Sequence, residues 1–131
     1  MNITTVYVGM DVHKDSFSLC CFTLNKERPE VQHRTQAGSR YVLKYLEAAR
    51  ERYGNEARFL CGYEAGCTGF TLYHELKEHN VSCVVLAPTT MSRKAKGIKT
   101  DRRDAEQIAR CLALHDYSPV HVPTKEDEQV S

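Results

Sequence analysis

The chain's 131 residues carry 18 basic and 17 acidic side chains, a formal net charge of +1, so overall polyelectrolyte attraction is excluded and a single domain with a real core is expected. No apolar run approaches membrane-spanning length, and the opening Met1-Asn2-Ile3-Thr4-Thr5 lacks the basic and apolar regions of a signal peptide, so no membrane and a cytoplasmic location are expected. Cys20, Cys21, Cys61, Cys67, Cys83 and Cys111 contain no C-x-x-C and no paired His spacing, and they read as reduced core residues.

Residues 4 to 12 are rich in β-branched and apolar side chains and end in the polar turn Asp11-Val12-His13-Lys14-Asp15; strand character resumes from Ser16 to Leu24. Two such runs across a short polar link predict a β-hairpin. Val31 to Gln36, after Pro29, can add a third antiparallel strand. Ser39 can cap a helix running to about Arg52, with Val42, Leu43, Leu46 and Ala48 or Ala49 inward. Arg58 to Tyr63 reads as a buried strand that ends in the loop Glu64-Ala65-Gly66-Cys67-Thr68-Gly69. Phe70, Tyr73, His74 and Leu76 or Lys77 then mark a second helix capped by Thr68, and Val81 to Leu86 is a further strand closed by Pro88.

A basic, Gly-marked stretch follows and turns into an amphipathic helix: Gly97-Ile98-Lys99-Thr100-Asp101-Arg102-Arg103-Asp104-Ala105-Glu106-Gln107-Ile108-Ala109-Arg110. Ala105, Ile108, Ala109 and Leu112 form its core stripe. Asp101 and Asp104 extend one edge of that stripe, whereas Arg102, Arg103, Glu106 and Arg110 can stay in solvent. Three residues apart on a helix, the two carboxylates lie about 5 to 6 Å from each other and can share an ion. Thr100 or Asp101 can equally be a plain N-cap, with acidic residues favoured in the first turn by the helix dipole. Val120-His121-Val122 precedes a polar tail, so residues 1–123 form the domain and 124–131 the tail.

Three strands, then helix, strand, helix, strand and helix, predict an α/β fold: a mixed five-stranded sheet with an antiparallel hairpin, parallel strands made through crossovers, and helices on both faces. Asp11 lies near the end of the first strand and Glu64 just after the fourth. If those strands are neighbours, both acids border the crevice at the strands' carboxyl ends, and the Asp101/Asp104 helix packs across the same edge. Four converging carboxylates repel unless cations occupy the site. Hard oxygen ligands suit Mg²⁺ or Mn²⁺, and two such ions about 3.5 to 4 Å apart can clamp an in-line phosphoryl displacement. Arg93, Lys94, Lys96, Lys99, Arg102 and Arg103 are then a grip on a nucleic-acid backbone, or else a solvated loop.

Val8-Gly9-Met10-Asp11-Val12-His13-Lys14, Gly62-Tyr63-Glu64-Ala65-Gly66 and Lys99-Thr100-Asp101-Arg102-Arg103-Asp104-Ala105 together resemble the N-terminal DEDD, RuvC-like domain of insertion-sequence transposases, the family that includes the bridge-RNA-guided recombinases. The resemblance covers nearly the whole chain, in order. It implies an RNase H-like fold with Asp11, Glu64, Asp101 and Asp104 as catalytic metal ligands. It also implies Mg²⁺-dependent cleavage and exchange of DNA strands, with a dimer or tetramer assembled on DNA and a structured guide RNA. In that family a coiled-coil region leads to a C-terminal domain carrying a nucleophilic serine, which this chain does not include.

His13 and Lys14, beside Asp11, are candidates for contact with phosphate or a metal-bound water, or simply a polar turn. Tyr41 and Tyr45 can stack on bases, though partial burial explains them too. His33, His74, His79, His115 and His121 are scattered and carry no metal assignment. Competing readings are a stand-alone junction nuclease of the same fold and a catalytically silent nucleic-acid-binding and dimerisation module.

Overall fold

The computed structural model describes residues 4–66, 68–88 and 103–124. Eight elements follow in order: β1 (Thr5–Val12), β2 (Ser16–Phe22), β3 (His33–Gln36), α1 (Ser39–Tyr53), β4 (Arg58–Glu64), α2 (Thr71–Glu78), β5 (Ser82–Leu86) and α3 (Ala105–Leu114). The sheet order is β3-β2-β1-β4-β5. β1 and β2 pair antiparallel, as do β2 and β3, while β1–β4 and β4–β5 are parallel. The expected mixed five-stranded sheet is therefore present, with the first and fourth strands adjacent.

Period-2 alternation divides the sheet between two cores. Val6, Val8, Met10 and Val12 of β1, with Cys61 and Tyr63 of β4, face α1 and α2, where Val42, Leu46, Ala49, Leu72 and Leu76 close the larger core. The opposite face carries Tyr7, Phe22, Leu60 and Leu86 and is covered by Ile108, Ala109, Leu112 and Ala113 of α3. Cys20, Cys21, Cys61 and Cys83 are buried and free, and Cys111 is half-buried and free. Burial pushes the Cys20 and Cys83 thiols up to about 12. They are small core residues, as expected; Cys67 lies outside the described residues.

Helix starts differ from those expected. Gly38, not Ser39, occupies the cap position of α1, and Phe70, not Thr68, that of α2; neither makes a side-chain cap bond. With α2 beginning at Thr71, the i, i+4 pair Leu72 and Leu76 is fully inward, and Phe70 and Tyr73 pack at the margin. Beyond α3, the chain runs back beside β5, where Ala87 N donates to Ser118 O and Val120 N to Val85 O. No helix among the described residues is long and apolar enough to cross a membrane.

Candidate active site

β1 and β4 meet in parallel with Gly9 opposite Gly62. Asp11 and Glu64 each lie two residues further along, so the register brings both acids to the same height at the strands' carboxyl ends. Strand alternation puts both on the α3 face, the face of Tyr7, Gly9, Leu60 and Gly62. Glu64 is the last residue of β4, not the first of a loop, which fixes its backbone in the sheet.

α3 is brought down onto this end by the absence of a side chain at Gly9. A Cβ there would sit 2.0 Å from the Ala105 carbonyl oxygen and 2.5 Å from the Ala109 nitrogen. Only glycine permits the first turn of α3 to rest directly on the β1 backbone. Asp104, immediately before Ala105, is thereby carried to the same end of the sheet as Asp11.

Asp104 is the N-cap of α3, with an extended backbone: its Oδ1 accepts from Gln107 N at 2.8 Å, and its own N–H donates to Gln107 Oε1 at 2.9 Å. This reciprocal capping box satisfies two orphan groups of the first turn. The helix therefore begins after Asp104. The spacing Asp104-Ala105-Glu106-Gln107 is the sequence signal for this cap, with Asp in place of Ser or Thr. Asp101 itself lies outside the described residues.

The other departure is Arg103, expected in solvent with the nucleic-acid-facing basic residues. It turns inward instead. Its Nε donates to Glu64 Oε2 at 2.6 Å, its backbone N–H to Glu64 Oε1 at 3.4 Å, and Nη2 to the Ala87 carbonyl at 2.6 Å. Nη1 also approaches Cys111 Sγ at 3.4 Å. Burial opposes the guanidinium's charge, yet the hydrogen bonds to Glu64 and Cys111 outweigh it, and Arg103 is held charged above its ordinary value. A carboxylate as buried as Glu64, 6% exposed, requires such a partner.

On the other side, His13 Nε2 lies 3.1 Å from Asp11 Oδ1. Lys14 is exposed in the β1–β2 turn. Arg93, Lys94, Lys96, Lys99 and Arg102 lie outside the described residues. The structure thus brings Asp11, Glu64 and Asp104 to one end and face of the sheet. Among the described residues, no three His, Cys, Asp or Glu side chains form a group able to hold a metal ion. The donors suit a hard cation in kind; at Glu64 the positive charge is supplied by Arg103.

The family model described as "Transposase", for the DEDD domain of the IS110 type, matches residues 8–131. A transposase for insertion sequence element IS1533 from Leptospira borgpetersenii is 37% identical over 108 residues, 82% of this chain and 30% of that protein. The putative transposase y4qE of Sinorhizobium fredii is 36% identical over 95 residues, 72% of this chain and 23% of that protein. The chain therefore spans less than a third of either relative. Among solved structures, T. thermophilus RuvC in complex with Holliday junction substrate aligns with a TM-score of 0.51 at 10% identity, over 88% of this chain and 99% of that one. That likeness shows an RNase H-like fold.

Proposed function

The chain belongs to the IS110-type DEDD transposase family, and from that premise we propose that it is the catalytic domain that cleaves and exchanges DNA strands in insertion-sequence transposition. The observation that carries the proposal is the shared register of Asp11 and Glu64 on one face of two adjacent parallel strands, with α3 resting on Gly9 of that face and Asp104 as its N-cap.

Asp11, Glu64 and Asp104, with Asp101 from the same sequence block, would hold Mg²⁺ or Mn²⁺. Such ions, when bound, supply charge stabilisation for the attacking and leaving oxygens of phosphoryl transfer. The chain's own groups do the positioning. The parallel strands fix Asp11 and Glu64 against each other; the Gly9 contact fixes α3 against both. Arg103 is paired with Glu64, and it must yield part of that carboxylate for a cation to bind there. His13 sits within hydrogen-bonding reach of Asp11, and the exposed Lys14 can meet backbone phosphate. A structured guide RNA and a dimeric or tetrameric assembly complete the reading.

The charge-compensated Glu64–Arg103 pair favours one alternative, a domain that binds nucleic acid yet stays silent until a partner completes the site. Nicking of supercoiled DNA by this chain with Mg²⁺ or Mn²⁺ tests the catalytic reading. Metal-dependent nicking should fall at least ~100-fold in Glu64→Gln, as for other groups that stabilise transition-state charge. Equal nicking by that variant would overturn the assignment.

A further inference from the structure

The row of residues holding Asp11 continues outward. Asp11 pairs with Ser18 on β2, and Ser18 with Arg34 on the edge strand β3. Directly paired residues share a face. Arg34 therefore stands on the Asp11 side of the sheet, two strand spacings or about 10 Å away. Its Nη2 donates to Ser16 Oγ at 3.3 Å, and the residue is exposed.

Two depressions meet at Arg34. One, of about 670 Å³, is lined by Asp11, His13, Lys14 and Ser18. The second, of about 760 Å³, lies between β3 and α1 and is lined by His33, Tyr41, Lys44 and Tyr45. Asp15, Ser16 and Arg34 line both, so they form one trough that starts at Asp11, rounds the edge of the sheet and ends on α1. Arg34, Lys44 and Arg52 face one carboxylate, Asp15, in the outer part, and Arg52 is already paired with Glu30 at 2.9 Å.

The outer wall is aromatic. His33 and Tyr45 stack with centroids 5.7 Å apart and planes 21° from parallel, and the Tyr45 hydroxyl is pinned on Cys21 Sγ at 3.3 Å. Tyr41 stands beside them, its hydroxyl donating to Gln36 Oε1 at 3.0 Å. Cations along a groove with fixed ring faces are the features that bind a single strand: the cations track phosphates and the rings stack on bases. Wrapping a stiff duplex around a sheet edge costs bending energy that a flexible single strand avoids.

We propose that this trough seats an unpaired DNA strand leading to Asp11, with Arg34 and Lys44 on its phosphates and, against its bases, Tyr41 and the exposed His33 ring that stacks on Tyr45. The choice of DNA rests on reading Asp11 as part of a DNA-cleaving site. The test is fluorescence anisotropy of this chain in EDTA, with a labelled oligothymidylate, the RNA oligomer of equal length, and a duplex. The single DNA strand should bind tightest. Arg34→Ala with Lys44→Ala should weaken it about 10-fold at low salt and flatten the slope of log K against log salt by about 1.4, two phosphate contacts' worth. Tyr41→Ala should weaken it about fivefold with the slope unchanged, because stacking is not a counterion effect. Thermal melts that match wild type establish that the variants are folded. Tighter binding of the duplex or of the RNA overturns the proposal, and so does wild-type affinity in the Arg34, Lys44 variant. Glu64→Gln nicking is read separately: its loss beside an intact strand affinity in the trough variants removes the trough and leaves the catalytic reading standing.

Discussion

Arg103 and Glu64 form an ion pair at 2.6 Å that is nearly sealed from water, with 13% and 4% of the two side chains exposed. The pair joins the start of α3 to the end of β4, and Arg103 extends it to the Ala87 carbonyl just past β5. One guanidinium thereby ties three segments together at the end of the sheet where the acids lie. It also occupies the carboxylate proposed above as a metal ligand.

Removing Arg103 should therefore act in two opposite directions. Arg103→Ala leaves Glu64 buried and uncompensated, which typically costs about 3 kcal/mol, so the metal-free chain should melt well below wild type. The vacated carboxylate should bind Mn²⁺ more tightly, with the melting deficit shrinking as Mn²⁺ is added. Melting curves with and without Mn²⁺ check both; a deficit that Mn²⁺ leaves unchanged would make Arg103 purely structural.

Gly9 and Gly62 are neighbours in the sheet with different tolerances. A methyl at Gly9 meets helix backbone, whereas one at Gly62 meets Leu112 Cδ2 at 2.8 Å, the movable end of a side chain. Gly9→Ala should cost about 3 kcal/mol or more by lifting α3, and Gly62→Ala about 1 kcal/mol. Chemical denaturation orders the two; equal costs would mean that α3 does not depend on the Gly9 contact.

The fold was legible in the sequence because it rests on periodicity: the five strands and three helices follow runs such as Val6-Val8-Met10 and Ile108-Ala109-Leu112, whose burial matches their spacing. Helix starts were less legible, since Gly38 and Phe70 hold cap positions without the side-chain bonds that mark a cap. The roles of Arg103 and Gly9 were not legible. Nothing in the local sequence says that Arg103 turns inward; that depends on Glu64, 39 positions away in the chain. Likewise the need for glycine at position 9 arises from α3 and is tertiary.

Asp104 is a cap in the structure and a ligand in the proposal, and the two can be separated. Asn caps a helix as well as Asp does, so Asp104→Asn should keep the melting temperature within the range of surface changes. Asp104→Ala should lose about 1 kcal/mol. Reduced Mn²⁺ binding in Asp104→Asn at unchanged stability would identify the charge as a ligand; wild-type binding would leave Asp104 as a cap alone.

Alkaline pH should unfold the chain through its thiols. Burial lifts Cys20 and Cys83 from 9.0 to about 12 in the folded state. A thiol whose folded value is raised favours folding fully below its unfolded value and loses that contribution as pH rises toward the folded one. Melting temperature should be flat up to about pH 8.5 and fall steadily between about pH 9 and 12. Substituting Cys83→Ala should reduce the steepness of that fall; an unchanged profile would assign it to other groups.

The most direct test of the central claim, that Asp11 and Glu64 belong to one metal-binding catalytic site, is calorimetric titration of Mn²⁺ into this chain beside its Asp11→Asn and Glu64→Gln variants. The account predicts saturable binding by the wild type that is lost in both variants while their folds survive. Binding of equal strength in all three would contradict it, because the ion would then be held without the two carboxylates that the β1–β4 register brings together.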